Sequence, residues 1–371
     1  MRVAIAGAGL GGLCLAQGLR QAGIEAEVHE RDPAITARFQ GYRLVLSQTG
    51  LTALRGCLPR RWHALLEAIS GDAYGERLVL DPRLNKIGEL GPGRSGTVID
   101  RHVLRHLLLT GLTVRTGAAL TGYAVLADGR VEARFAHGDP VAADLLVGAD
   151  GVGSAVRAVL APRTTPTDTG VRFVIGRTPL TGQFAGLSRA FGSKIAGDGV
   201  SLLLGAMRFR TPPKRAAEEL APEVVLPDVG DYVRWAMILP PDGPAGTLSP
   251  RESVLSRIEG WHPDLRALVE QSDPDNSTLL SIRVVEPGER WAPGPVTLLG
   301  DAIHATSPTG GNGANTALRD ADLLRRCLTE GRRDFLGAVG DYERQMFEYG
   351  AEAVRHSLDA LPAYVPRAEP A

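Results

Sequence analysis

Residues 2–30, RVAIAGAGLGGLCLAQGLRQAGIEAEVHE, decide how the chain starts to fold. The apolar run at residues 2–6 is typical of a buried parallel strand, and residues 25–29 predict the next strand. Between them, mostly apolar residues recur every three to four positions as far as Gly23, which predicts a helix. The stretch is therefore a βαβ unit, and its glycine-rich turn stands where such units bind a dinucleotide phosphate.

The turn Gly7-Ala8-Gly9-Leu10-Gly11-Gly12 has the glycine spacing of a dinucleotide-binding fingerprint. Gly7 permits the tight turn, Gly9 lets the backbone approach a pyrophosphate, and Gly12 lets the helix pack against the strand. The helix amino terminus then stabilises the phosphate charge, and Glu30, about twenty residues on, is expected to accept hydrogen bonds from a ribose. The alternatives are a glycine turn without a ligand and, for Glu30, a solvated surface carboxylate.

Two later glycine motifs indicate which dinucleotide is bound. Residues 148–151 read GADG, and Gly300-Asp301 lies nearly three hundred residues after the first turn. A long dinucleotide that is held at two distant places in the sequence is most simply FAD. The glycines of residues 308–315, PTGGNGAN, would let the backbone pass close to a flat ring, and the following helix start favours an anion such as reduced flavin. The alternative is a glycine-rich helix start used only for packing.

Composition excludes several other classes of protein. The 371 residues are 44% hydrophobic with a formal net charge of −1, so the chain can form two packed units and has no bulk charge that indicates nucleic acid or an acidic membrane. Three scattered cysteines suit neither a disulfide framework nor a metal site, and the eight histidines show no metal-ligand spacing. Without a secretory stretch or a run of eighteen apolar residues, we expect a cytoplasmic protein that contacts no membrane.

The rest of the chain predicts a second, strand-rich unit. Short segments with strand propensity at residues 76–80 and 86–90 are separated by turn residues, which predicts a hairpin, and Asp128-Gly129 predicts another hairpin. The predicted fold class is α/β, with a Rossmann-type FAD-binding domain, an inserted strand-rich substrate domain and C-terminal helices. The first domain would comprise residues 1–74, 98–169 and 286–371, and the second residues 75–97 and 170–285. Residues beyond 358, with Pro362, Pro366 and Pro370, are expected to be disordered.

These motifs together resemble the group A flavin monooxygenases, the family of para-hydroxybenzoate hydroxylase and the tetracycline-modifying flavoenzymes. The similarity covers nearly the whole chain and includes the helix start Arg101-His102-Val103-Leu104-Arg105 and the stretch Gly300-Asp301-Ala302-Ile303-His304. It implies that Asp301 binds the ribityl or pyrophosphate part of FAD and that Arg101 reaches the cofactor. The cofactor-binding residues so implied or predicted are Gly7, Gly9, Leu10, Gly11, Gly12, Glu30, Arg31, Arg101, Asp150, Gly151, Asp301, Pro308, Gly311, Gly313, Ala314 and Asn315.

The resemblance also implies an activity, in which the cofactor carries the chemistry and no side chain is assigned a catalytic role. NAD(P)H, a transient co-substrate, would reduce FAD, O₂ would add to flavin carbon 4a, and the hydroperoxide would pass one oxygen to an aromatic or polycyclic secondary metabolite. A water-excluding cavity is expected between the flavin and the strand-rich domain. Its lining, chosen by strand alternation, is Phe173, Ile175, Leu203, Met207, Trp235 and Met237, with Arg43 or Arg177 orienting a phenolate or carboxylate; the alternative for each apolar residue is the core of a sheet.

Other readings stay open at this point. A flavin-dependent halogenase or reductase on a similar fold, or a non-catalytic FAD-binding protein, is possible because a fold does not determine the chemistry. His304 is expected to be structural, and Asp32 and Asp320 to be a turn residue and a helix surface or cap residue. The sequence distinguishes neither NADH from NADPH, nor hydroxylation from epoxidation or Baeyer-Villiger insertion, nor a monomer from a homodimer.

Overall fold

The structure, a computed structural model, describes residues 1–34, 41–91, 94–188, 192–197, 199–239, 248–273, 277–330 and 334–365. Its strands are β1 (Arg2–Ala6), β2 (Glu25–His29), β3 (Arg43–Leu46), β4 (Ser70–Gly75), β5 (Arg77–Leu80), β6 (Lys86–Glu89), β7 (Arg94–Asp100), β8 (Val114–Arg115), β9 (Leu120–Val125), β10 (Val131–Phe135), β11 (Val141–Ala143), β12 (Leu145–Gly148), β13 (Thr167–Pro179), β14 (Gly192–Gly197), β15 (Val200–Met207), β16 (Tyr232–Leu239), β17 (Thr278–Val284) and β18 (Val296–Leu298). Its helices are α1 (Leu10–Gln21), α2 (Gln48–Cys57), α3 (His63–Ala68), α4 (Arg101–Leu109), α5 (Ala155–Leu160), α6 (Pro213–Leu220), α7 (Pro250–Leu255), α8 (Pro263–Glu270), α9 (Asp301–His304), α10 (Gly313–Glu330) and α11 (Phe335–Ala360).

A parallel sheet with the strand order β18-β12-β1-β2-β8 forms the first layer. Its inner strands are almost wholly buried, as expected of a parallel sheet covered on both faces. Because all five strands run in the same direction, the turns after β1, β2, β12 and β18 lie at one edge of the sheet. In open α/β sheets, ligands bind at this carboxyl edge.

A second, larger sheet has the strand order β17-β13-β16-β15-β14-β5-β6 and is mostly antiparallel. Helices α7 and α8 cover one of its faces with a buried apolar cluster. The other face meets the small sheet β3-β7-β4, which the sequence did not predict. The predicted fold class is confirmed, since a Rossmann-type parallel sheet, a strand-rich sheet and C-terminal helices are all present.

Local predictions hold best where turn chemistry is explicit. The hairpin across Asp128-Gly129 is confirmed by the antiparallel pairing of β9 with β10, and β5 pairs with β6 in the same way. The expectation of disorder beyond residue 358 is wrong for residues 359–365: α11 runs on to Ala360, and Leu361, Tyr364 and Val365 pack against the second sheet. Apolar burial against β13 orders this segment, while Pro366 and Pro370 lie outside the described residues.

Two findings concern the whole of the described chain. Cys14, Cys57 and Cys327 are all free thiols, as their scattered positions predict. Within the described ranges, no helix combines the length and the apolar character needed to cross a membrane.

Candidate cofactor and substrate site

The turns after β1 and β12 are joined directly at the carboxyl edge of the parallel sheet. The Ala149 amide donates to the Ala6 carbonyl oxygen at 2.7 Å, so the two turns leave the sheet side by side. Gly7 has a φ of +110°, and a Cβ atom there would overlap the Ala149 carbonyl group. Only glycine fits at Gly7, both for its backbone angle and for the approach of the neighbouring turn.

Gly12 and Gly9 differ in what surrounds them. A Cβ atom on Gly12 would overlap the Gly7 carbonyl oxygen and lie 3.1 Å from the Ala149 Cβ, so this glycine serves helix and strand packing. At Gly9 an added Cβ atom meets no atom within 4 Å in the part of the chain that the structure describes, and the φ of −73° suits any residue. The space over Gly9 is therefore open, at the amino terminus of α1, where a phosphate group fits.

Glu30 lies at the end of β2 and is only 4% exposed, so the surface-carboxylate alternative is wrong. Its two oxygen atoms accept from the Ala8 amide at 2.9 Å and the Asp32 amide at 3.0 Å. Arg105 lies 3.5 Å from the same carboxylate and donates to the Ala8 carbonyl oxygen at 2.9 Å. Glu30 and Arg105 thus hold the first turn from both sides, in addition to any contact with a ribose.

Sequence reasoning missed Arg105 as a residue of this site. The sequence could have indicated it, because Arg105 lies between Leu104 and Leu107 on the buried face of α4. A charged side chain occupies such a position only when it has a partner. Arg101, which the family resemblance favoured, starts α4 and is partly exposed; its amide donates to the Tyr42 carbonyl oxygen at 2.6 Å. Arg31 follows β2 at the carboxyl edge of the parallel sheet and is exposed.

The turn after β18 is held by a buried network around Asp320. Asp320 is fully buried and accepts from the Gly300 amide at 2.7 Å and from the Tyr349 hydroxyl at 2.5 Å. His304 Nε2 lies 2.7 Å from the same carboxylate; burial opposes its protonation, but the Asp320 charge raises the pKa of His304 above its usual value. The expectation that Asp320 is a surface or cap residue is therefore wrong. The network fixes Gly300, whose φ is +61°, and presents the exposed Asp301 side chain at the edge.

The loop after α9 is connected to β3 through one side chain. Asn315 donates to the carbonyl oxygens of Val45 at 2.9 Å and Gly311 at 3.1 Å, and it accepts from the Ser47 amide at 2.9 Å. Pro308 begins a short 3₁₀ turn, and Gly311 has a φ of +67°. Gly313 and Ala314, which begin α10, are partly exposed, so the backbone of this loop is open on one side.

One oxygen atom of the Asp150 carboxylate makes a structural hydrogen bond, and the other is available to a ligand. One carboxylate oxygen accepts from the Ala155 amide at 2.7 Å, at the start of α5. The other oxygen is buried and has no hydrogen-bond partner among the described residues. Gly151 beside it has a φ of +79° and free space on its Cβ side. A buried acceptor without a donor is costly, which is the condition that a ligand hydroxyl would relieve.

The predicted cavity residues fall on two faces of the second sheet. Phe173, Ile175, Leu203 and Met207 lie on the face toward β3, β7 and residues 361–365. Trp235 and Met237 lie on the opposite face, buried against α7 and α8, so their prediction as cavity lining is wrong. Strand alternation separates the two faces correctly but does not say which of them a helix layer covers.

Two arginines and two tyrosines stand on the cavity side where the sheets meet. The Arg177 guanidinium lies over the rings of Tyr42 and Tyr232, at 5.0 Å and 5.4 Å, and 3.8 Å from Asp100. Tyr232 donates to Asp100 at 2.7 Å. Burial and the adjacent charge of Arg234 lower the pKa of Arg43 to about 10. The structure thus brings Arg43 and Arg177 to one region, and it adds Arg234, which sequence reasoning did not single out.

These observations fit an extended dinucleotide. The turn with open space over Gly9, the unsatisfied Asp150 oxygen and the exposed Asp301 carboxylate all stand at the same carboxyl edge. Within the described residues, no group of three or more His, Cys, Asp or Glu side chains could hold a metal ion. The open turn and the two carboxylates suit an organic cofactor with phosphate and hydroxyl groups.

Comparison with known proteins gives the family. A family model of the FAD binding domain matches residues 1–178 and 279–334, well over half of the chain. A solved protein from Photorhabdus luminescens subsp. laumondii, assigned as an FAD-containing monooxygenase, has 32% sequence identity with a TM-score of 0.82, covering 98% of each chain. The chain belongs to the group A flavin monooxygenase family. Its cofactor is accordingly FAD.

Curated relatives agree with the family but differ in length. The dual O-methyltransferase/FAD-dependent monooxygenase CTB3 of Cercospora beticola is 33% identical over 93% of this chain, which spans only 44% of that protein. The aurachin C monooxygenase/isomerase of Stigmatella aurantiaca is 28% identical over 89% of this chain and 81% of its own length. The chain described here thus spans less than half of CTB3 and most of the aurachin enzyme.

Proposed function

We propose that this chain is an FAD-dependent monooxygenase that uses NAD(P)H and O₂ to insert one oxygen atom into an aromatic or polycyclic small molecule, a secondary metabolite. The observation that carries the proposal is that strand β3 contacts two surfaces, the loop at residues 308–315 and one face of the second sheet. The cofactor turns lie at the edge of the parallel sheet, and an apolar sheet face with arginines lies across β3 and β7 from them. A purely FAD-binding protein has no need of the second surface.

The chain's own residues would bind, orient and exclude water. Gly9 and the start of α1 would receive the pyrophosphate, while Asp301 and Asp150 would accept hydrogen bonds from cofactor hydroxyl groups. When bound, FAD reduced by NAD(P)H would activate O₂ for transfer to the substrate. Phe173 and Leu203 would form the dry side of the substrate space, because water in that space would divert the activated oxygen.

The names of relatives support an organic ring system as the substrate. Curated relatives include the aurachin C monooxygenase and FAD-dependent urate hydroxylases. Aromatic and heteroaromatic rings are the electron-rich acceptors that a transferred oxygen atom requires. The competing functions are a halogenase or reductase and a non-catalytic flavoprotein.

One series of measurements separates these functions. The purified protein should be yellow and release FAD on heat denaturation. NADH and NADPH oxidation in air is then measured with a panel of aromatic compounds, and products are weighed after reaction under isotopically labelled O₂. Substrate-dependent oxidation with one labelled oxygen in the product supports the proposal. A protein that binds FAD but never consumes NAD(P)H with any compound, or one that changes its substrate without taking up label, contradicts it.

A further inference from the structure

A groove opens where the first residues of β13, the last residues of β17 and the end of α11 come together. Its volume is about 720 Å³, which is within the range of small-molecule sites. Its lining is mostly threonine hydroxyls and aliphatic groups, together with the Glu286 carboxylate and an ion pair between Arg163 and Glu289. The groove therefore has no surplus positive charge, and it suits an uncharged ring system with hydroxyl or carbonyl groups.

The groove lies on the same face of the second sheet as the predicted cavity residues. In the ladder between β13 and β17, Thr167 is opposite Val284 and Phe173 is opposite Leu280, so each pair shares one face. Leu280 and Val284 are four residues apart on one strand, and an even separation keeps side chains on the same face. The groove and the apolar face around Phe173 are therefore consecutive parts of one surface.

Residues 361–365, which follow α11, lie between these two parts. Leu361 lines the groove. Together with Tyr364 and Val365, it also packs on the apolar cluster that includes Phe173. In the free protein this segment thus covers apolar surface that a substrate would need to contact.

The far end of the segment is held by two long, flexible side chains. Arg77 on β5 donates to the Tyr364 hydroxyl, and Lys194 on β14 donates to the Ala363 carbonyl oxygen at 2.7 Å. The second of these contacts is exposed to solvent, where a hydrogen bond contributes little to stability. The segment can therefore be displaced without breaking a strand ladder.

The end of α11 also contacts the loop at residues 308–315. The Ser307 amide donates to the Ser357 hydroxyl at 3.0 Å, and the Thr309 hydroxyl donates to the Ser357 carbonyl oxygen at 3.2 Å. Leu358, the next residue of the helix, lines the groove. The groove and the loop expected to face the flavin thus share the end of α11 as a common wall.

We propose that this groove is the entrance to the substrate space and that residues 361–365 are its gate, closed in the free protein and displaced by the substrate. The inference rests on the proposed function and adds a substrate class, a flat molecule of two or more fused rings with hydroxyl or carbonyl groups. The path from Val284 to Leu280 covers four residues of strand, about 13 Å, which exceeds the length of a single aromatic ring.

The test measures how fast polycyclic phenols bind. Stopped-flow association and equilibrium binding of 2-naphthol and 1,8-dihydroxyanthraquinone are measured on the wild type, on Tyr364→Ala and on a chain that ends at Ala360. Because a closed gate competes with the substrate for the sheet face, weakening it should raise the association rate and the affinity together, by about tenfold or more for at least one compound.

The opposite sign identifies a fixed wall. If residues 361–365 only line the site, their loss lowers the affinity, and if they only stabilise the fold, the melting temperature falls while the association rate stays unchanged. Either result in both variants overturns the inference. So does a wild-type protein that binds neither compound with a Kd below about 1 mM.

A matched pair of lysine variants tests the gate with the chain at full length. Lys194→Gln removes one contact of the segment and should raise the association rate about threefold or more. Lys86→Gln is the control, because Lys86 is on β6 of the same sheet and pairs with Glu76 and Glu89 instead. Equal rates in these two variants would contradict the assignment of the gate.

A second pair of variants tests the groove. Thr167→Trp places an indole in the groove and should lower the association rate about tenfold or more for both compounds. Thr121→Trp is the control, since Thr121 is exposed on β9 in a different sheet, and it should leave the rate unchanged. A wild-type rate in Thr167→Trp would show that the entrance lies elsewhere.

The same preparations separate this inference from the proposed function. Gate and groove variants that behave as expected in a protein that never oxidises NAD(P)H contradict the proposed function alone. Oxygenation of a substrate by a protein whose association rates do not change in any variant contradicts the gate alone.

Discussion

Gly9 offers a substitution that separates cofactor binding from folding. Its backbone angles, φ −73° and ψ 175°, are ordinary for any residue, and no atom of the described residues lies within 4 Å of an added Cβ. Gly9→Ala should therefore fold normally and change the unfolding free energy by less than about 1 kcal/mol, because the lost freedom of the unfolded chain offsets the poorer N-cap that alanine makes. Among the described residues nothing meets the new methyl group, so a loss of FAD affinity would report contact with the ligand over the turn.

The expected loss of affinity follows from that contact. Overpacking a methyl group against a rigid neighbour costs about 1–3 kcal/mol, which weakens FAD binding by about fivefold to 150-fold. With FAD at about one hundred times the wild-type Kd, the ligand stabilises the wild type by about 2.7 kcal/mol. For a hundredfold weaker variant, the same concentration gives only about 0.4 kcal/mol.

The assay is denaturant unfolding with and without added FAD, together with the flavin content of the purified protein. Gly12→Ala is the control, because its Cβ would overlap the Gly7 carbonyl oxygen and should destabilise the protein whether or not FAD is present. If Gly9→Ala retains wild-type flavin content and the full FAD-dependent gain in unfolding free energy, the placement of the pyrophosphate over this turn is refuted.

Three further predictions concern single carboxylates. Asp301→Ala should lower flavin occupancy while changing the unfolding free energy of the FAD-free protein by under about 0.5 kcal/mol, since the side chain is exposed; an unchanged flavin absorbance would contradict its role. Asp320→Asn should cost about 3–5 kcal/mol in denaturant unfolding because it breaks a buried pair. The raised pKa of His304 stabilises the wild type fully below about pH 6.5, and this stabilisation is lost as the pH rises through the folded-state pKa. Asp320→Asn should remove this pH-dependent part of the unfolding free energy. Burial raises the pKa of Glu343 to about 7, so Glu343→Gln should leave stability nearly unchanged at pH 4 and raise it by up to about 3 kcal/mol at pH 8, as checked by melting curves.

The parts of the site that the sequence predicted are those built from local chemistry. The turn at Gly7, the hairpin at Asp128-Gly129 and the positive φ at Gly311 each depend on a few neighbouring residues. Such features need only a backbone conformation that glycine permits and a strand before the turn. The carboxyl edge of the parallel sheet then brings distant turns together without further information.

The parts that were missed depend on pairings between distant segments. Asp320 looks like a surface residue in a helical sequence, and only the packing of α10 against the turn at Gly300 buries it. Trp235 was assigned to the cavity because strand alternation does not show which face of the sheet the helices α7 and α8 cover. Arg234 gave no signal at all, since its significance comes from Arg43, nearly two hundred positions earlier.

Strand β3 of the small sheet β3-β7-β4 sets the separation between the loop at residues 308–315 and Arg43. The Asn315 side chain connects the loop to backbone groups of Val45 and Ser47. Arg43 lies only two residues before Val45 on the same strand. Two residues of strand span about 6.6 Å, so the backbone at Arg43 stands at a set distance from the loop of residues 308–315. Arg43 on β3 stands opposite Asp100 on β7 in the antiparallel ladder. Asp100 lies 3.8 Å from Arg177, so the same ladder also sets the position of Arg177. Strand β3 thus fixes the position of residues 308–315, through the Asn315 side chain, relative to Arg43 and Arg177.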